Sequence, residues 1–447
     1  MTPAAVAPNL ATLNLLRLAA AARRAGLIAA CLVAGGALSL QLSGLDLRAP
    51  AGADSASIRS EAALALAYGV LLAAGAASGR LFGVARRNVL VIAPAALAIL
   101  SAAWAPEPAT ALRRALAFAA TLMSGVALAA ALPNRRALTF VAQAAVAGVL
   151  LSILYVVLQP QYGVHQATDG VQSVHAGDWR GLFVHRTALG QLSALALALA
   201  AYGGRSALGP PLFRIGVGAA ALLCLYKARS AGGVVDAALL LAAPPLLQAI
   251  RWMWRRGGWL ALAVMACAGL LAAGAAWTVA PLVLHALGRD ATLTGRAAFW
   301  PAMLQAAAAK PWLGYGYSTG YREAVAGLVA AQTGGDYVPN AQNGYLDVLL
   351  NLGVVGLVLV AAGLALAEWR AVRLARADPP ERTPLLVVLL IAAMNLVEAA
   401  LVSPNDIFVL LYATTAAAAG EALRRPPRSD RSPADGAPAP PAAGTSR

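Results

Sequence analysis

The chain has 447 residues, of which 60% are hydrophobic and only 12% charged. A soluble domain carries about twice that charge, so the composition excludes an ordinary soluble enzyme and points to a polytopic membrane protein. The formal net charge of +15 would suit nucleic acid, but the arginines are dispersed between apolar runs, where they serve as topology signals and lipid contacts.

Residues 1–25 are basic, with Arg17, Arg23 and Arg24 ahead of a long apolar run that has no convincing cleavage site. They are read as a cytoplasmic segment leading into a retained first span. Residues 26–423 then hold about twelve apolar segments of bilayer-crossing length, an all-α membrane domain with both termini on one side. The basic stretches RLFGVARR, PNRR, RWMWRR and EWRAVRLARADPPER fall between spans on that same side, which the positive-inside rule makes cytoplasmic. Trp104, Trp179, Trp252 and Trp369 sit near span ends, as an interfacial belt requires. Cys31, Cys224 and Cys267 lie within apolar spans, so neither a disulfide framework nor a redox role is expected. Ala and Gly enrichment serves close helix packing. Residues 424–447 are rich in Pro, Ala and Ser and are read as a disordered cytoplasmic tail.

Twelve of the 34 basic residues fall on the opposite side, among them Arg113, Arg114, Arg180, Arg186, Lys227, Arg229, Arg289, Arg296 and Lys310. All four histidines, His165, His175, His185 and His285, fall there too. Arginines retained against the charge bias either pair with acids or bind a phosphate-bearing lipid, and nearby acids are too few to match them all. Guanidinium forks match phosphate oxygens bidentately, and Arg229 and Arg296 are the strongest candidates. The dominant polar connection, 284–345, lies between the ninth and tenth spans. It carries Arg289, Arg296, Lys310, a glycine–tyrosine turn and an amide-rich helix entry. Tyr315 and Tyr317 could stack on sugar or anchor the turn at the headgroup layer. Glu398 falls inside a predicted span over 384–402, where an isolated carboxylate is costly; it either serves function or pairs with an arginine that holds the bundle together. His165 and His175 have no Cys or acid at ligand spacing, so no metal site is expected. There is no nucleotide-binding glycine loop and there are no paired acids for a metal, so no cofactor is implied.

Six segments carry a resemblance, in order and at matching spacing over residues 90–420. They are SAAWAPEPATALRRALAF, WRGLFVHRTALGQ, YKARSAGG, RDATLTGRAAFW with KPWLGYGY, AQNGYLDVLLNLGVVGL, and MNLVEAALVSPND. Together they resemble the O-antigen ligase and polymerase superfamily, and most of all its exopolysaccharide polymerase branch.

The resemblance implies an inner-membrane glycosyltransferase with its large loop in the periplasm. Its donor would be a glycan on undecaprenyl diphosphate and its acceptor a glycan or lipid hydroxyl, with a chain-length regulator and a flippase as partners. No divalent metal is needed if arginines stabilise the departing diphosphate. Arg229 and Arg296 are assigned to that task, with Arg186, Lys227, Arg289, Tyr315, Tyr317, Asn343 and Glu398 binding substrate.

Ligases of the superfamily typically carry a histidine where this chain has Gln342. An amide accepts a hydrogen bond but takes no proton near neutral pH. Either another base substitutes (His185, Asp336 or Asp347), or Gln342 only orients the acceptor, or transfer activity has been lost. The polymerase reading is favoured over a ligase to lipid A core. A transporter of polyprenyl-linked sugars and a non-catalytic assembly partner are the readings from other classes.

Overall fold

The computed structural model describes residues 10–43, 58–132, 135–203, 207–252, 255, 296–319, 325, 327, 340–377 and 380–424. Among these the architecture is all-α. The helices are α1 (Leu10–Ala34), α2 (Ile58–Ala77), α3 (Leu81–Arg87), α4 (Val89–Leu100), α5 (Pro108–Ala131), α6 (Arg136–Leu158) and α7 (Arg186–Tyr202). They continue with α8 (Pro211–Ala228), α9 (Ala231–Trp252), α10 (Arg296–Ala309), α11 (Gly344–Ala375), α12 (Thr383–Met394) and α13 (Ile407–Arg424).

Seven of these helices are long and apolar enough to cross a membrane, or eight if the bent pair α3–α4 forms one span. The other expected spans differ for local reasons. The ninth, 259–281, lies outside the described residues. Helices α7 and α12 are only 17 and 12 residues long. The predicted span 384–402 ends early because Asn395 stops it. Its side-chain oxygen accepts the backbone N–H groups of Ala400 and Leu401 at 2.8 and 2.9 Å, an alternative to continuing the helix. Glu398 therefore lies in a non-helical turn rather than within a membrane helix, a correction to the sequence reading.

Helix α5 sits at the centre, packed against α13, α2 and α4, while α7 packs on α8 and α6. Small residues set these distances. A Cβ on Gly125 of α5 would come 2.6 Å from the Ala413 methyl of α13, and one on Gly75 of α2 would meet Ala127 at 2.5 Å. In lipid, where apolar burial drives helix association little, such backbone proximity supplies the packing.

Polar groups gather at the two ends of the bundle. At one end Arg87 pairs with Glu421 at 2.7 Å. Beside them Arg370 donates to Asn88 Oδ1 at 2.5 Å and to the Ala416 carbonyl at 2.9 Å. Asn88 makes the 88° corner between α3 and α4. The other end carries the loops 159–185 and 395–406, the 310–318 turn, and the starts of α5, α7, α9 and α11.

Candidate functional site

The loop 159–185 folds over this second end as a pinned unit. A single antiparallel bridge joins Val164 to Trp179. Arg180 is 2% exposed, bonding the Tyr162 carbonyl at 2.6 Å and Asp169 Oδ2 at 2.7 Å. Its charge is matched internally, so it holds the loop rather than a ligand.

The loop delivers Asp178 to the arginines of two helix ends. Asp178 Oδ2 lies 3.2 Å from Arg186 Nη1, and Oδ1 lies 3.6 Å from Arg229 Nε. Arg186, at the start of α7, also donates to the backbone carbonyls of Ala228 at 3.2 Å and Arg229 at 2.5 Å. Arg229 caps α8 in the left-handed conformation, φ 46°. The adjoining Ser230–Gly233 segment lets α9 start in backbone contact with α7, since Gly233 abuts Gly190. The two guanidiniums differ in access: Arg186 is buried, while the Arg229 side chain is 77% exposed. The Lys227 ammonium lies 5.9 Å from the Trp179 ring centroid and 5.8 Å from that of Tyr226.

His165, His175 and His185 meet edge to face, with ring centroids 5.4–5.7 Å apart. His165 Nε2 accepts the backbone N–H of Arg186 at 3.2 Å. His185 Nδ1 accepts that of Thr187 at 3.2 Å and so caps α7. Burial, reinforced by the neighbouring imidazoles and arginines, pushes both His165 and His185 down to about 3. Both rings are therefore neutral near pH 7, each with one lone pair engaged within the protein.

His185 faces a second feature, which sequence reasoning missed. A cavity of about 930 Å³ runs between α1, α2, α5, the 183–188 segment and the 404–408 segment. Its walls are apolar (Leu40, Leu64, Leu116, Phe183, Phe408) and its polar groups include Arg113, Arg114, His185 and Asp406. Arg113 lies 3.5 Å from Glu61, and Arg114 donates to Ser318 Oγ at 3.0 Å. Asp406 accepts the Phe408 and Val409 N–H groups at 2.7 and 3.2 Å to cap α13. Burial pushes its carboxyl up to about 6. The RR pair in the first quoted motif was the available signal, but nothing in the sequence separated it from the other outer arginines.

The KPWLGYGY turn and the NLG of α11 are structural partners. Helix α11 breaks at Gly353, φ 66° and ψ −167°. The amides of Val354 and Val355 turn to the Pro311 and Trp312 carbonyls at 2.7 and 3.2 Å. In exchange the Leu350 and Asn351 carbonyls accept from Tyr315 and Gly316 at 2.9 and 3.0 Å. Two amides and two carbonyls beside the break are thus re-paired, which is what a broken membrane helix needs of its freed backbone. A Cβ at Gly353 would sit 2.2 Å from the Trp312 carbonyl carbon.

This docking decides the fate of both tyrosines. Tyr317 is 1% exposed, stacks on Phe118 at 5.6 Å and gives its hydroxyl to the Val402 carbonyl. Its ring is covered, which corrects its assignment to sugar stacking. Tyr315 donates to the Ala306 carbonyl at 2.9 Å, with the Lys310 ammonium 4.7 Å from its ring centroid.

At the start of α11, Gln342 takes a left-handed φ of 44°, a conformation uncommon outside glycine and associated with functional strain. Asn343 caps the helix, accepting from Tyr345 and Leu346 at 3.1 and 3.0 Å and donating to the Leu396 carbonyl at 3.1 Å. That bond ties the amide turn to the segment bearing Glu398. Asp236 of α9, hydrogen-bonded to Gln191 of α7 and like it buried, lies within electrostatic reach of Glu398.

Among the described residues, then, Arg186 and Arg229 meet at Asp178, with His185 and Lys227 on the same two helix ends, while Gln342, Asn343 and Glu398 lie where the start of α11 meets the end of α12. Arg296 opens α10, but its side chain lies outside the described residues, and so do Arg289 and Asp336.

Residues 216–361 match the O-antigen ligase family. The matched stretch, about a third of the chain, runs from α8 into α11 and so contains Lys227, Arg229, Arg296, Gln342 and Asn343, while His185 and Arg186 lie before it. The chain is also similar to the exopolysaccharide production protein ExoQ of Rhizobium meliloti (strain 1021). The two are 26% identical over 278 residues, 59% of this chain. The chain spans about 60% of that relative's length.

Proposed function

We propose that this protein transfers a glycan from a polyprenyl diphosphate to an acceptor hydroxyl, as a polymerase of surface polysaccharide at the outer face of the bacterial inner membrane. The observation that carries the reading is the Arg186–Asp178–Arg229 arrangement next to a cavity with an apolar wall and a basic end. A lipid diphosphate needs both an apolar wall for its chain and guanidiniums for its charge.

In this reading the chain of the carrier lies along the α1–α2–α5 cavity, with Arg113 and Arg114 at the headgroup level. Arg229, exposed and held among the described residues by one carboxylate contact at 3.6 Å, swings onto the diphosphate. Arg186 stays in place and fixes the Arg229 backbone. Arg296 is assigned as a second cation. As the glycosidic C–O bond breaks, electrons pass to the diphosphate oxygen, and preorganised guanidiniums stabilise that charge.

His185 is neutral but has its Nδ1 engaged, so it suits proton relay less than capping. Gln342 is assigned to orient the acceptor hydroxyl, with Asp347 or Glu398 close enough in the fold to its turn to receive the proton. The similarity to an exopolysaccharide production protein supports a role in exopolysaccharide synthesis, and the motif resemblance favours polymerase over ligase.

Alanine substitutions at Arg229, Arg296 and Gln342 in polymer-producing cells test the proposal. Loss of long polymer with carrier-linked single units accumulating on the outer leaflet is expected. Accumulation on the cytoplasmic leaflet would indicate translocation instead, and loss of glycan on lipid A with polymer intact would indicate a ligase.

A further inference from the structure

The end of the bundle opposite the candidate site has a cavity of its own. About 340 Å³ in volume, it lies where the end of α9, the end of α11 and the start of α12 converge. Arg251, Arg376 and Arg382 line it, with Leu247, Val372 and Leu385 forming apolar walls. An adjoining hollow of about 260 Å³ shares Gln248 and Arg251 and adds Trp252 and Arg255.

None of Arg251, Arg376 and Arg382 has a carboxylate partner among the described residues. Of the two acids between Arg376 and Arg382, Glu381 is turned to accept the Thr383 N–H at 3.1 Å, and Asp378 lies outside the described residues. Arg382 is steadied instead by the Tyr202 ring, 5.9 Å from its guanidinium carbon. This contrasts with the same end's other arginines: Arg80 and Arg87 share Glu421, and Arg370 is bonded to Asn88 and a carbonyl.

We infer that the α9–α11–α12 junction binds the headgroup of an anionic phospholipid, with Arg251, Arg376 and Arg382 on its phosphate. Three guanidiniums round one small cavity repel one another unless an anion lies between them. Guanidinium is the side chain best matched to phosphate oxygens. The apolar walls and the tryptophan place the cavity at headgroup depth, where acyl chains can continue along the helices. A soluble phosphate would gain nothing from those walls. The bound lipid bridges α9 to the α11–α12 corner and so steadies the base of two helices whose other ends build the candidate site.

Native mass spectrometry of the full-length protein in detergent, titrated with phosphatidylglycerol or cardiolipin, tests this. The R251Q/R376Q/R382Q variant is expected to retain these lipids about a hundredfold less well. A control with three exposed arginines of the same end removed, R86Q/R373Q/R424Q, is expected to change less than about threefold. Phosphatidylethanolamine should not substitute, and millimolar inorganic phosphate should not displace the lipid. Equal loss in both variants would reduce the site to surface charge, and displacement by phosphate would make it a soluble-anion site. Either result overturns the proposal. Should the triple variant fail to express, each single variant is expected to weaken retention about fivefold, and no change in any of them would overturn it equally.

Discussion

The guanidinium of Arg186 donates to the backbone carbonyl of Arg229 at 2.5 Å, so one arginine fixes the main chain of another while Asp178 lies between their side chains. The two residues therefore have separable duties. Substituting Arg186 by Gln should lower both stability and glycan output, because it removes two carbonyl bonds and leaves Asp178 short of its closer partner. The expected loss is on the order of 3 kcal/mol. Arg229→Gln should lower output with a melting temperature like that of the parent, since its side chain is mostly exposed. Thermal unfolding in detergent alongside polymer yield distinguishes the two.

Asp178→Ala is expected to be among the more damaging single changes at this end of the molecule. It leaves the buried Arg186 charge uncompensated, a loss of about 3–5 kcal/mol. Melting temperatures equal to the parent's would show that the shared carboxylate is dispensable.

Gly353→Ala should prevent correct folding, because the added methyl would occupy the Trp312 carbonyl. The expected destabilisation exceeds about 3 kcal/mol. Gly69→Ala in α2 has nothing within 4 Å of the new atom and should be neutral or stabilising by up to about 1 kcal/mol. Expression level and size-exclusion profile of the pair provide the check.

The histidine cluster predicts a specific acid sensitivity. His165 and His185 are held near 3, against about 6.5 in the unfolded chain. The unfolded state therefore binds more protons between those values, and stability falls as pH drops from about 6.5 towards 3. Above 6.5 these two groups contribute no further pH dependence. His165→Asn should flatten the fall in melting temperature measured from pH 7 to pH 4.

Much of this was legible before any coordinates. Hydropathy gave the all-α class, because bilayer-spanning helices must be long and continuous in apolar character. Two of the quoted motifs are partners in the fold: the LGYGY turn and the NLG of α11 re-pair each other's backbone. What stayed hidden depended on contacts remote in sequence. Nothing in a linear reading joins Asp178 to Arg186 and Arg229 across two helix ends. Glu398 looked embedded because hydropathy weighs Leu396 and Val397 but not the capping reach of Asn395. Tyr317 looked available for the same reason: its exposure is set by Phe118, 199 positions earlier.

The break at Gly353 has a geometric consequence. A continuous helix crossing the bilayer would force its first turn to point along the crossing axis. Interrupted and spliced to the 311–316 turn, the short rod from Gly344 to Leu352 is free of that direction. Its tip, with the amide of Gln342, can be aimed sideways while the remaining shaft keeps the tilt the lipid demands.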